Sequence, residues 1–403
     1  MSVEGTTARA RFTGPQGCLL AGSFLITLGS FAVLPYMSVL LHQRLGLGLG
    51  AVGTVLAVAS LIQFAGGAVA GPVAGRIGLR RAMLLALALR TAGFAAFVPG
   101  TTSAVLAVGA LLLVSAGAAL YLPANKAYLV GGAPVSQRPR LLSASGSAFN
   151  AGMALGPPAA APFVMGSPGV LFSCVTVLFA LVGAGHALLP REASYRDEEA
   201  PAVPACRVPD APRPGPSPFV VTVSSVYAFM FFQHYLALYA VPRTSAVFYG
   251  AVLTGYASLL VVAQPLLAER VAALSYPAAV RWGFGAMAAG TAAIGAGGHV
   301  GIAAGAALLC LGEIVLFLKN DLEALARSTA APASVFGRQR LAAGIGAFAS
   351  GLVGGHLYGA AEAAGSARGF WAAVCVQCLL LPVLPLFRRR TVRDPEGSRT
   401  DTA

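Results

Sequence analysis

The feature that most constrains this chain is a series of twelve apolar stretches of about 20 residues each, separated by short polar segments. They run at 17–41, 50–74, 82–99, 103–124, 141–164, 168–189, 219–241, 246–267, 277–297, 300–322, 341–361 and 369–387. Stretches that long, with almost no charge, bury themselves most cheaply in hydrocarbon. A backbone in hydrocarbon must satisfy its own polar groups, so it forms helices or a closed barrel. Barrel strands alternate apolar and polar residues, and these runs do not. The chain therefore reads as an all-α membrane protein with twelve transmembrane helices. Composition agrees: 10% of the residues are charged, against about 25% in a soluble protein.

The formal net charge of +13 would suit a nucleic-acid partner if the charge were clustered on a folded face. It follows the turns instead. Of the 27 basic residues, 22 fall on one side when both termini are placed together, including Lys126, Lys319 and the run Arg388-Arg389-Arg390. The opposite side keeps Arg44, Arg243 and Arg368, while Arg90 and Arg281 lie within spans. Positive charge is retained on the cytoplasmic side of bilayers. Both termini are thus expected in the cytoplasm of a cell-membrane protein, with no nucleic-acid partner. Arg9 and Arg11 precede a first span without a cleavage site, so that span is expected to stay uncleaved.

Residues 190–218 are rich in proline and charge and read as a cytoplasmic tether. Six spans precede it and six follow. The expected units are an N-terminal half at 1–189, the linker at 190–218, a C-terminal half at 219–387 and a tail at 388–403. The halves resemble one another. Pro35-Tyr36 aligns with His234-Tyr235, Gly71-Pro72 with Gln264-Pro265, and Leu120–Asn125 with Leu316–Asp321, at offsets of 199, 193 and 196. A duplication places a pseudo-two-fold axis along the membrane normal, with a site between the halves.

Ionisable groups at membrane depth are costly and mark function. Glu313 is the one acid deep within a span, 14 residues from both His299 and Arg327, or roughly 21 Å of helix on either side. It is the leading proton carrier, with a static partner for a cation as its bland alternative. His234 is the second candidate, because histidine changes charge near neutral pH; a packing role competes. Arg90 lies nine residues past Arg81, and either binds an anionic substrate, pairs with another polar group or holds the halves in one state. Gln233 and Tyr239 lie beside His234. His356 and Gln63 read as packing residues, and Arg281 as an interfacial anchor.

Enzyme chemistry finds no support. The chain has no GxxxxGK[ST] phosphate loop and no GxSxG elbow. Cys375 and Cys378 have CxxC spacing without a second pair, so neither metal nor cofactor is expected.

The segment Gly71-Pro-Val-Ala-Gly-Arg-Ile-Gly-Leu-Arg-Arg81 joins spans two and three. With glycines at 71, 75 and 78 it is expected to form a tight helix–loop–helix connection. It resembles the helix 2–3 signature of the major facilitator superfamily, Gly-x-x-x-Asp-Arg-x-Gly-Arg-Arg. The chain supplies Gly71, Arg76, Gly78 and Arg80, with Arg81 directly following; Gly75 stands in place of the acid, and Leu79 in place of the first arginine of the pair. In span five, Gly152, Gly156 and Pro157 are similar to the Gly-x-x-x-Gly-Pro signature of the drug:proton antiporters within that superfamily. The alternative is a generic small-residue packing face. The resemblance implies the major facilitator fold of two pseudo-symmetric six-helix halves, with helices one, four, seven and ten around a cavity. On that basis Tyr36, Tyr121 and Asn125 join the expected lining, and the 71–81 segment the inner gate.

The expected function is export of a small amphipathic organic molecule, drug-like or a natural product, in exchange for protons. The partners are that molecule, protons and the bilayer, and the protein is expected to be a monomer. The alternatives are an importer or uniporter on the same fold, and a transporter-like sensor that moves nothing.

Overall fold

The computed structural model describes residues 12–131, 133, 137–164, 166–190, 216–328 and 332–382. The expected tail at 388–403, Arg9, Arg11, Cys206 and all but the ends of the 190–218 linker lie outside the described residues.

Twelve helical rods follow in order: α1 (Gly14–Arg44), α2 (Leu49–Ala65 and Gly67–Ile77), α3 (Leu79–Gly100), α4 (Ala104–Gly131), α5 (Arg138–Val164), α6 (Pro168–Ala187), α7 (Pro218–Ala240), α8 (Ala246–Ala273), α9 (Tyr276–Ala296), α10 (Gly298–Ala326), α11 (Pro332–Ala363) and α12 (Ala367–Leu380). Eight of them are long and apolar enough to cross a bilayer by length and composition. Helix ends are fixed where side chains take over from the backbone ladder. Thr13 and Gln16 form a reciprocal capping box at the start of α1, and Ser245 accepts the Phe248 N–H at 3.0 Å at the start of α8.

Several boundaries differ from the sequence expectation, two of them for a clear physical reason. The 71–81 segment is not a loop: α2 runs to Ile77, α3 starts at Leu79, and Gly78 alone turns the chain with φ +89°. Only glycine adopts that angle without strain, so one residue does what three glycines were expected to share. On α11 the helix begins nine residues earlier than the apolar run, taking in Arg338, Gln339 and Arg340. Arginine and glutamine are good helix formers, and a helix needs no hydrocarbon to continue.

The packing repeats between α1–α6 and α7–α12. Helices α1 and α5, α3 and α4, and α3 and α6 lie together, as do α7 and α11, α9 and α10, and α9 and α12. Side chains repeat as well. Tyr36 of α1 donates to the Pro157 carbonyl of α5 at 3.0 Å, and Tyr235 of α7 donates to the Gly351 carbonyl of α11 at 2.6 Å. Asn125 of α4 donates to Ser23 of α1 at 3.0 Å, and Asn320 of α10 donates to Thr222 of α7 at 2.8 Å. Structurally Asn125 thus corresponds to Asn320, one residue from the match with Asp321 that sequence blocks suggest.

The two sets of six meet along α2 against α11 and α5 against α8. We call the membrane side holding the turns at 45–48 and 241–245 the far face, and the side holding the α6–α7 connection the near face. The core between helices is aromatic and aliphatic, with Tyr36, Tyr121, Tyr235, Tyr239, Tyr249 and Trp371 among its largest fully buried side chains.

Candidate functional site

Glu313 lies near the middle of α10, part-buried, and the Tyr256 hydroxyl of α8 donates to its Oε2. Among the described residues it makes no ion pair. The Tyr256 ring in turn packs on Phe232 at 5.3 Å and Phe229 at 6.3 Å, both on α7, and Phe229 meets Phe317 edge-on at 5.9 Å. One ionisable group therefore sits in an aromatic surround with a single aimed donor. Such a carboxyl can hold a proton or face an organic cation, since ring faces and carboxylate both attract positive charge. Tyr256 and the three phenylalanines are not among the residues picked from sequence. Their signal was spacing: Tyr249, Leu253 and Tyr256 stand at i, i+4 and i+7 on one face of α8.

Other candidates lie at the seam or away from it. His234 of α7 shares a hydrogen bond of 3.1 Å with Ser60 of α2 through Nε2, crossing from one half to the other. Its Nδ1 is buried without a partner. Gln233 beside it is half-buried. Tyr36 reaches the Ala246 carbonyl of α8 at 3.3 Å, and Tyr249 of α8 reaches back to the Pro35 carbonyl at 3.1 Å. The two rings meet edge-on at 5.1 Å. Thr254 of α8 adds a bond of 2.8 Å to the Ala154 carbonyl of α5. These reciprocal contacts draw the far ends of α1, α5 and α8 together, so this conformer is far-closed. Tyr239 is packed at the far end of α7 against Trp371, with Arg243 stacked 4.3 Å over its ring.

Arg90, Tyr121 and Asn125 are buried within the first six helices. Arg90 donates to Ser30 of α1 and lies 4.7 Å over the Phe179 ring of α6. Tyr121 and His186 share a bond of 2.8 Å, with His186 Nδ1 held by the Val182 carbonyl at 2.9 Å. The structure does not bring these residues to Glu313. Gly152 and Gly156 of α5 press on the α1 backbone: a Cβ at residue 156 would stand 2.6 Å from the Leu28 carbonyl oxygen. On the near face, Gly71, Gly75 and Arg76 are helical residues of α2, and Arg80 of α3 bonds the Ala187 carbonyl of α6 while Arg81 is exposed. Among the described residues no group of three histidines, cysteines or acids could hold a metal ion, and the five described cysteines are free.

Comparison with known proteins adds the context. The family model described as Major Facilitator Superfamily matches residues 19–320. The uncharacterized MFS-type transporter YhjO of Bacillus subtilis is 29% identical over 152 residues, 37% of either chain. YdeE of Escherichia coli, also an uncharacterized MFS-type transporter, is 27% identical over 154 residues, 38% of this chain and 39% of that one. The matched stretch spans under two-fifths of the length of each of these relatives. Among solved structures, the nucleoside transporter NupG superposes with a TM-score of 0.72 at 12% identity, covering 93% of this chain and 99% of that one. An auto-inhibited POT family peptide transporter gives 0.71 at 14% identity, covering 96% and 99%. At such identities the likeness is one of fold.

Proposed function

Because the chain belongs to the Major Facilitator Superfamily, and is on that ground a multi-pass transport protein with no enzymatic role, we propose that it exports a small amphipathic organic molecule in exchange for protons. Glu313 carries the proton. The observation that carries this reading is the placement of Glu313 at membrane depth against Tyr256 inside an aromatic surround. A charge there is costly by several kcal/mol unless neutralised, and a proton and a cationic or amphipathic cargo are alternative ways to neutralise it. Exclusive occupancy of one carboxyl by either partner couples their movements.

The helices rock as two six-helix halves, 1–189 and 219–387, about the α2–α11 and α5–α8 seams. In the far-closed conformer the Tyr36–Tyr249 junction shuts the site from the far face, and its parting exposes the site there. His234 and Ser60 join the halves through the α2–α7 hydrogen bond, and Gln233 supplies polar lining in this reading. The basic-residue bias supports a cytoplasmic near face, which makes the far face the exterior of a cell membrane. The Gly152–Gly156–Pro157 resemblance to the drug:proton antiporters supports exchange over uptake, and the 71–81 turn serves the inner gate.

The test uses purified protein in liposomes with an imposed pH gradient and a panel of radiolabelled amphipathic compounds, ethidium and tetraphenylphosphonium among them. Cargo moving against the proton flow supports the reading. Cargo moving with the protons makes the protein an importer, and no movement across the panel, with the protein correctly inserted, favours a sensor.

A further inference from the structure

On the far face α1 and α11 meet across the seam between the halves. His42, in the widened last turn of α1, is hydrogen-bonded from Nδ1 to the Leu47 carbonyl at 2.9 Å. That bond fixes the ring and leaves Nε2 facing Glu362 Oε2 of α11 at 3.9 Å. The pair borders a groove of about 540 Å³ between α2 and α11, with Gly50 and Gly355 in its floor and His356 in its wall. The two side chains are 28% and 54% exposed, so protons from solution reach both directly.

We propose that His42 and Glu362 form an acid-strengthened clasp that holds the far face closed. With its Nδ1 proton given to Leu47, a neutral His42 turns a lone pair toward the carboxylate and offers it nothing. Protonation places an N–H and a positive charge there instead, and the contact becomes an ion pair. Histidine is the side chain whose charge changes between about pH 5 and 8. The clasp is therefore present at acid pH and lost as pH rises through that range.

Arg44 follows His42 on α1. The α2 segment Leu49–Ala65 carries no charged side chain. From the other half His356 of α11 lines the same groove, while Arg368 of α12 lies by Gly297 of the α9–α10 turn and Arg243 sits in the α7–α8 turn. Arg243 is within electrostatic reach of Tyr358, as is Glu362. Its guanidinium is tied to its own half through the Tyr239 carbonyl at 2.9 Å, so it attracts Glu362 equally whether the halves are together or apart. Closing the far face brings the His42–Glu362 contact across the seam beside the Tyr36–Ala246 and Tyr249–Pro35 bonds; His356, against Gly50, and His234, bonded to Ser60, are the other histidines at the seam, and neither makes an ion pair among the described residues.

The inference rests on the proposed function solely for which compartment supplies the acid. Its test needs neither cargo nor gradient. Nitroxide labels at Gln43→Cys and Ala364→Cys, in a background without native cysteines and in lipid nanodiscs, report the far-face opening by double electron–electron resonance. An exposed ion pair shifts a two-state equilibrium by about two- to fivefold, so the open population should rise by that factor from about pH 5 to about pH 8. His42→Gln and Glu362→Gln should each reduce the response, and His42→Gln should reduce it equally in a Glu313→Gln background. An undiminished response in His42→Gln, or a flat response in the parent, overturns the clasp. Loss of the response in Glu313→Gln alone also overturns it, and does so while leaving proton exchange at Glu313 intact.

Discussion

The far-closed packing of α2 on α11 makes a prediction whose size can be worked from one contact. A Cβ added at Gly53 would meet the Gly351 carbonyl oxygen first and would stand 2.6 Å from Gly355 Cα and 2.9 Å from Gly355 N. Ordinary contact begins at 3.4 Å, so Gly53→Ala requires the facing backbones to separate by about 1 Å. The obstructing atoms are main chain, and no rotamer change relieves them. Overpacking of this kind costs about 1–3 kcal/mol. The methyl meets nothing once the far ends of α2 and α11 part, so the cost falls on one conformer. It shifts the balance toward the far-open state by about 5- to 150-fold. The reporter is a cysteine at Leu253, 6% exposed on the Tyr249–Tyr256 face, alkylated by a membrane-impermeant maleimide from the far side. Its labelling rate should rise by that factor. Gly50→Ala is the control: its Cβ would meet only the His356 ring, at 3.2 Å, and a side chain can swing aside. Equal labelling rates in the two variants, with both proteins monodisperse, would refute the reasoning.

Further outcomes follow from single contacts. Tyr256→Phe removes the donor aimed at Glu313, a bond to a charged or polar partner worth about 1.5–3 kcal/mol; transport should fall at least tenfold, and a double-mutant cycle with Glu313→Gln should be non-additive by a similar amount. Asn320 is bonded to both Tyr276 and Thr222, and Thr222 continues to Gln339 at 2.7 Å, whereas Asn125 has a described bond to Ser23 alone. Asn320→Ala should therefore cost about 2 kcal/mol and Asn125→Ala about 1 kcal/mol, read as thermal stability in detergent. Arg90→Ala empties a buried space against Gly117 and Phe179 and should destabilise by about 2–4 kcal/mol, with no change in which compounds are carried.

How much of this was legible in the sequence depends on the physical signal. Hydrophobic runs report span number because the bilayer imposes length, and twelve helices follow. The tyrosines at 36 and 235 were matched as parts of two blocks, and they make equivalent bonds to α5 and α11. Span ends were less legible: α11 starts at Pro332 and runs through Arg338, Gln339 and Arg340, where hydropathy is silent but helix propensity is not. The 71–81 segment shows the limit of composition, since three glycines invite a loop and one, Gly78, suffices. For the site, Glu313 stood out as an acid where acids are rare. Its partner did not, because a tyrosine in an apolar helix is ordinary until its hydroxyl is seen to point at a carboxylate. Tyr121 and Asn125 show the reverse: polar groups on α4 whose bonds to His186 and Ser23 are made within one half, a distinction that neither residue type nor spacing can draw.

Proton exchange at Glu313 is most directly tested by proton release. Purified protein in weakly buffered detergent solution, monitored with a pH dye, is mixed with a compound that the liposome assay shows to be carried. The account predicts release of about one proton per protein from the parent and none from Glu313→Gln, with binding of the compound measured in both. Equal release from the two proteins, or binding to the parent without release, contradicts it.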